Sequence, residues 1–548
     1  MKKLIVKTMA TLLSIAIASS LFVGCVKQKT TSEIQSTPST TNNTIIEANT
    51  LPIADPPITL KLYAQNYQSR LIKSYGEMEN FKEISQKTGV NIEWIHPIGE
   101  LNEQFNVMIA SGEYPDIIYW NFGTTISNHI KNNVALKLND YMKYAPNYKK
   151  ILDENPIVRK QLIMDDGTIP MFAQIDIDIQ RLNYNGFQMR QDWLDKLNLK
   201  APETLDDWYS VLTAFKTKDP NGNDKADEIP FGSGSKENGL DSLAGFWGVR
   251  DTFYKNPKTG KITHGYLENG FKDYITTMNK WYSENLIDKE YVASDKKGLD
   301  SKVLNNIVGS YFGTQGSYMD SYNQVQVPKD PNFRMVGVPF PKSSDGKAYH
   351  TTDHMAKYVQ GYGGIISSSC KNPVEAVKFC DYLYSKEGLT YQNWGIEGKS
   401  YTIENGKKKL TDAILKSSDG KTPGQAMIKY ANPSNGFMKI MDFEYTKAIG
   451  SGAPDYVTKP TADAQKLWEK ADLSLTMPIL TLTSEEIERY SNIMSEISTY
   501  SSEKINKFIM GIEPLSNYSE FVNTLKSMEL EEAVKIQQAA YDRYEKRK

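Results

Sequence analysis

The stretch Asp219-Pro220-Asn221-Gly222-Asn223-Asp224-Lys225-Ala226-Asp227-Glu228 is the strongest chemical motif in the chain. A hard cation such as calcium takes about six to eight oxygens arriving from several directions. A tight loop with oxygen-bearing side chains on alternate residues can deliver them. Asp219, Asn221, Asn223 and Asp227 stand at loop positions one, three, five and nine. The backbone carbonyl of Lys225 falls at position seven, and Glu228 can close the shell. Two departures from the helix-loop-helix calcium pattern stand out: Gly occupies position four instead of six, and no Glu stands at position twelve. Asp224 must then make the turn that Gly normally makes. The alternative is a polar Asn/Gly turn without metal. A structural calcium ion is expected here, pinning the loop away from any chemistry.

Catalytic chemistry finds little support. Of the five histidines, only His350 and His354 have ligand-like i, i+4 spacing, and the residues between them read as loop or strand. There is no HExxH, no GxSxG and no GxxxxGK[ST] motif. Gly361-Tyr362-Gly363-Gly364 is glycine-rich but precedes a strand, which argues against dinucleotide binding. A glycosidase needs a set pair of carboxylates, and 66 acidic residues neither identify nor exclude one. An enzyme is not expected.

Cys25 carries a different chemistry. Lys2 and Lys3 open the chain, an apolar run follows from about Met9 to Leu21, and Gly24 precedes the Cys. This resembles a bacterial lipoprotein signal, with residues 1–24 removed and Cys25 lipidated, although Phe22 stands where an aliphatic residue is usual. The apolar run is short for a membrane span. Residues 25–57, rich in Ser, Thr, Asn and Pro, are expected to be a disordered tether. The expected location is the outer face of the cytoplasmic membrane, held by lipid.

Composition agrees with a large globular body. The chain has 548 residues, 39% hydrophobic and 24% charged, with formal charge −2; removing three lysines with the first 24 residues leaves −5. No basic excess is available for nucleic acid. Apart from Cys25 the only thiols are Cys370 and Cys380, and Cys380 falls on the apolar side of an expected helix, where a buried thiol is commoner than a disulfide. Tyrosine is abundant, 33 residues beside 19 Phe and 8 Trp, and amphipathic rings suit sugar faces as well as cores.

These groups must be positioned by recognisable elements. Ile58, Leu60 and Leu62 alternate as a strand; Phe81 and Ile84 mark a helix closed by Gly89; residues 90–94 read as a second strand. Phe105, Met108 and Ile109 mark another helix stopped by Gly112, and residues 116–120 a third, buried strand. Strand, helix, strand, helix, strand predicts a parallel sheet with helical crossovers. Thr204 with Asp207 resembles a helix start, and Trp208, Val211, Leu212 and Phe215 form its buried stripe. Residues 362–367 read as a strand, and Asn372-Pro373 opens a helix with Val377, Cys380 and Leu383 inward. From about Ala462 onward the pattern is helical.

Several segments together resemble the extracellular solute-binding proteins of family 1, in the oligosaccharide-binding lipoprotein branch with an LplA-like or alginate-binding-protein-like core. They are residues 103–112 (EQFNVMIASG), Tyr114 to Ile118, Met189 to Leu194, Pro202 to Thr204, the 219–228 loop, Gly361 to Gly363, and Tyr391 to Gly398. The resemblance implies an α/β, two-lobe periplasmic-binding-protein-like fold of type II, with a hinge and helical C-terminal additions. Residues 58–180 and 354–407 would form the N-terminal lobe, and 181–353 and 408–548 the C-terminal lobe. It implies an oligosaccharide held in the inter-lobe cleft and delivered to an ABC permease by a monomer. Candidate cleft residues at matching stretches are Trp120, Arg190, Asp192, Trp247 and Tyr362, with Trp394 and Glu397 after them. Trp193 and Trp208 are assigned to core. Trp120 and Trp247 stand beside Asn or Gly at element ends, whereas Arg190 could simply bridge Asp192. Competing functions are a surface glycoside hydrolase or lyase, and a sensory lipoprotein.

Overall fold

The computed structural model describes residues 50–178, 182–234, 239–432 and 437–547. Cys25, the expected signal and residues 25–49 of the expected tether lie outside the described residues; its last part is not a loose tether, because Ile53 and Ala54 are buried and their N–H groups donate to the Thr88 carbonyl. No described helix is long and apolar enough to cross a membrane.

The alternating residues of the first segment build one sheet. Its strands are β1 (Ile58–Tyr63), β2 (Val90–Ile95), β3 (Ile117–Asn121), β4 (Phe172–Ile175) and β11 (Val359–Ile366), in the order β2-β1-β3-β11-β4. β1 lies parallel to β2 and β3, with the helices Glu79–Thr88 and Leu101–Ser111 as crossovers. Gly89 ends the first of these at φ 67°, where a residue without Cβ turns most readily. β11 arrives from far along the chain and runs antiparallel to both neighbours.

A second sheet holds β5 (Asn185–Arg190), β6 (Ile229–Phe231), β9 (Val308–Thr314) and β10 (Met335–Gly337), ordered β10-β5-β9-β6. Two hairpins complete the strands, β7 (Phe253–Lys255) with β8 (Ile262–His264) and β12 (Tyr401–Glu404) with β13 (Lys407–Leu410). The helix Leu205–Thr217 starts with a capping box between Thr204 and Asp207 and buries Trp208, Val211, Leu212 and Phe215. The helices Ser484–Ile509, Tyr518–Ser527 and Leu530–Lys546 pack into the second sheet's core.

Each sheet has its own hydrophobic core, and a small third cluster forms around Trp394, Tyr401 and Met427. Ile428, Phe437 and Met438 belong to the first core. The packing therefore puts residues soon after 408 with the first sheet, where the sequence reading had put 408–548 with the second. Hydrophobic periodicity shows that a helix buries a face but not which sheet receives it. Cys370 and Cys380 are both buried free thiols.

Trp468, at the end of the helix Asp455–Trp468, is fully buried against the second sheet. A Cβ on Gly186 would come within 2.1 Å of its ring and one on Gly337 within 3.1 Å, so two strands leave room for one indole. Its N–H donates to the carbonyl of Val338 at 3.0 Å. Replacing Trp468→Ala is expected to lower the free energy of unfolding by about 3–5 kcal/mol in urea titration. A loss below about 1 kcal/mol would contradict this anchoring role.

Candidate functional site

The pairing of β3 with β11 sets two aromatic side chains side by side. In this register Tyr362 faces Asn121, Gly363 faces Trp120 and Gly364 faces Tyr119. The rings of Tyr119 and Tyr362 stack with centroids 6.3 Å apart at 25°. Tyr119 donates its hydroxyl to Gln174 Oε1 on β4 at 3.1 Å. Burial holds the hydroxyls of Tyr67 and Tyr119 protonated far above the ordinary tyrosine range, with the neighbouring Tyr362 adding to the effect. These rings present neutral donors and flat apolar faces.

They form one wall of a cavity of about 950 Å³. Gln174, Asp176 and Gln360 complete this wall from the first sheet's side. Opposite lie Thr314 and Gln315 at the end of β9, then Asp320, and Asp455, Thr461 and Gln465 on the helix ending in Trp468. Phe443 and Lys447, on the helix Phe443–Gly450, border it. A second cavity of about 490 Å³ shares Tyr67, Tyr119 and Tyr362 and extends to Glu100, Asn102 and Trp120. On the far wall of the larger cavity, Thr314 Oγ1 and Gln315 Oε1 are buried with no hydrogen-bond partner among the described residues. Such groups gain most from a ligand that supplies the missing bond. Burial raises the pKa of the Asp320 carboxyl, which accepts a hydrogen bond from Thr461.

The residues singled out from sequence divide sharply. Tyr362 lines both cavities, and Trp120 lines the smaller one, stacked on Phe105 at 4.6 Å and 3°. Arg190 does not reach either cavity. It is 1% exposed, donates from Nε and Nη2 to Asp192, and lies over the rings of Trp193 and Phe333. Arg190 and Asp192 line a separate hollow beside Asn221. Trp247 packs between Phe246 and Tyr274 in the second core. Trp394 is 2% exposed and donates its N–H to Asp442 Oδ2 at 2.6 Å; Glu397 is exposed on the outside. Sequence reasoning missed Tyr67, Tyr119, Tyr184 and the Thr314-Gln315 pair. Tyr67 beyond β1 and Thr314-Gln315 at the end of β9 had an available signal, since ligands of α/β sheets bind beyond the carboxyl ends of strands; Tyr119 inside β3 and Tyr184 ahead of β5 had none.

The 219–228 loop is drawn together by its own polar groups. Asp219 accepts from the backbone N–H groups of Gly222, Asn223 and Asp224 at 3.0–3.2 Å. The side-chain amides of Asn221 and Asn223 both donate to Asp227. Asp224 takes the turn with φ 58°. Lys225 sits at the expected bend, its N–H bonded to Asn223 Oδ1. Glu228 is 2% exposed, and its Oε1 has no partner among the described residues. Burial, then the charges of Asp219 and Asp227, raise its pKa. Among the described residues no group of three or more His, Cys, Asp or Glu is arranged to hold a metal. An ion here would therefore need amide and backbone oxygens as well. The orphaned Glu228 oxygen and the oxygen-bearing side chains of Asp219, Asn221, Asn223 and Asp227 gathered in one loop fit a hard cation by residue type, although the two amides here turn their N–H groups to Asp227.

Residues 72–390 match the family of bacterial extracellular solute-binding proteins. The fructooligosaccharide ABC transporter substrate-binding protein FusA of Streptococcus pneumoniae is 27% identical over 491 residues, covering 85% of this chain and 87% of that protein. Lipoprotein LipO of Bacillus subtilis is 25% identical over 350 residues, 60% of this chain and 64% of that protein. The alginate-binding protein AlgQ2, solved without calcium ion, superposes with TM-score 0.71 at 26% identity, covering 89% of this chain and 99% of that one.

Three histidines, His264, His350 and His354, are held away from solvent and line neither cavity. His354 Nδ1 meets the Tyr184 hydroxyl at 2.8 Å, and His350 is fully buried, with residues 351–353 forming no helix between them. Burial lowers the pKa of His264 and His350 to about 3 and of His354 to about 4. Their unfolded value is 6.5, so the unfolded chain binds the extra protons. Stability is expected to be full above pH 6.5 and to fall toward pH 4, by about 1 kcal/mol per pH unit for each histidine. Urea unfolding across this range checks it; a flat profile would contradict the burial of neutral rings.

Proposed function

Because the chain belongs to the bacterial extracellular solute-binding protein family, we propose that it captures an oligosaccharide between its two sheets and delivers it to an ABC permease. The observation that carries this reading is the stacked Tyr119–Tyr362 pair facing the Thr314–Gln315 edge across about 950 Å³. Sugar rings bury their apolar faces on aromatic side chains while fixed polar groups bond the hydroxyls. FusA and AlgQ2, named for such ligands, support the same class.

The ligand leaves chemically unchanged in this proposal, as expected of relatives named as binding proteins. The protein acts as a monomer on the outer face of the cytoplasmic membrane, anchored through lipidated Cys25. The lobes are taken as the two sheet-centred bodies, with the cleft between them. Affinity for a matched oligosaccharide, read by isothermal titration, is expected to fall about 10–100-fold on Tyr362→Ala and to stay unchanged on Glu397→Gln. Equal affinity for wild type and Tyr362→Ala would rule out this cleft, and cleaved sugar in the cell would favour the glycosidase reading.

The 219–228 loop is proposed to hold a structural calcium ion. Asp219, Asn221, Asn223, Asp227 and Glu228 would supply side-chain oxygens and Lys225 a backbone carbonyl. A bound ion would satisfy the orphaned Glu228 oxygen and offset the repulsion among three carboxylates. Calcium at a hundredfold excess over Kd is expected to stabilise the fold by about 2.7 kcal/mol, and a chelator to reverse it. Asp227→Asn should shrink that gain; thermal melts unaffected by calcium would exclude the site.

A further inference from the structure

The cavity wall opposite Tyr362 is acidic. Asp320 ends the segment Gln315–Asp320, and Asp455 is the first residue of the helix Asp455–Trp468. Both line the cavity. Asp320 accepts from the Thr461 hydroxyl, a neutral donor. The only lining ammonium among the described residues, Lys447, is already 2.8 Å from Glu444 and lies over the Phe443 ring at 4.5 Å. No described arginine or histidine lines the space. The described guanidiniums of Arg190 and Arg250 are spent on Asp192 and Asp353.

This distribution decides between sugar classes. A sugar carboxylate is best held by a guanidinium fork or an uncommitted ammonium. Here it would be brought, partly desolvated, against the carboxylates of Asp320 and Asp455, with Asp176 a third on the facing wall, and like charges in such a setting disfavour one another. A neutral sugar meets the opposite situation. Its hydroxyls donate to the carboxylates of Asp320 and Asp455, which accept strongly. They also meet the Thr314 and Gln315 side chains on the same wall, whose Oγ1 and Oε1 lack partners among the described residues.

Resting on the oligosaccharide reading, we infer that this cavity takes uncharged oligosaccharides and rejects those built from uronic acids. Titration of the full chain with neutral fructo-, cello-, xylo- and manno-oligosaccharides, beside oligogalacturonate and oligoalginate of equal length, tests this. At least one neutral ligand should bind, with the uronates weaker by on the order of a hundredfold. Asp320→Asn combined with Asp455→Asn should bring the two classes within about tenfold. Should the double variant not fold, Asp455→Asn alone, at the exposed helix start, should narrow the gap by at least about threefold. A uronate binding as tightly as any neutral sugar, or an unchanged gap in these variants, would overturn the inference while leaving oligosaccharide capture intact. Binding by neither class would overturn the capture reading itself, and this inference with it.

Discussion

The insertion of β11 between β3 and β4 is the constraint on which the rest of the structure depends. This strand returns after more than 150 residues of second-sheet chain to close the first sheet. It fits only because glycines stand where its neighbours come closest. A Cβ on Gly363 would stand 2.5 Å from Met171 Sδ, and one on Gly364 2.1 Å from Met438 Sδ. Tyr362 therefore projects from a strand whose position is dictated by its glycine neighbours. The same register places Tyr119 beside it and Trp120 in the adjoining space.

The opposite wall depends on a similar device. Trp468 settles on Gly186 and Gly337, and the helix it ends is thereby held with Asp455, Thr461 and Gln465 toward the cavity. Two separate cores fix two separate walls, and no apolar side chain needs to fill the space between them. Polar links join the first sheet's body to the C-terminal helices: Arg543 and the buried Arg547 pair with Asp165, and Lys131 with Glu485. A buried, paired link of this kind is expensive to break on one side only, which favours a defined arrangement of the crossing segments.

Local signals were legible in the amino-acid sequence. Alternation at Ile58, Leu60 and Leu62, glycine stops at Gly89 and Gly112, and the Thr204–Asp207 box all correspond to observed elements. The 219–228 loop was legible for the same reason, since its groups are neighbours in the chain. Tyr362, next to glycines at a strand, was also readable. Arg190 misled because a cation before a helix resembles a ligand-binding hand. Its nearest acid two residues on, with Trp193 and Phe333 around it, satisfies the charge internally. Trp394 misled because a ring in a polar segment can still be buried against a distant partner, here Asp442. Tyr119 was invisible as a site residue. Its meeting with Tyr362 is a matter of strand register between segments more than 200 residues apart, which no periodicity encodes.

The account comes down to a sugar lodged between β11 and the helix that ends in Trp468. A crystal structure of the protein with a bound neutral oligosaccharide measures this most directly. The account requires an intact chain with a ring against Tyr362 or Tyr119 and hydroxyls on Thr314, Gln315 or Asp320. Density for the sugar at the Arg190 hollow or elsewhere, or for a cleaved fragment, would contradict it.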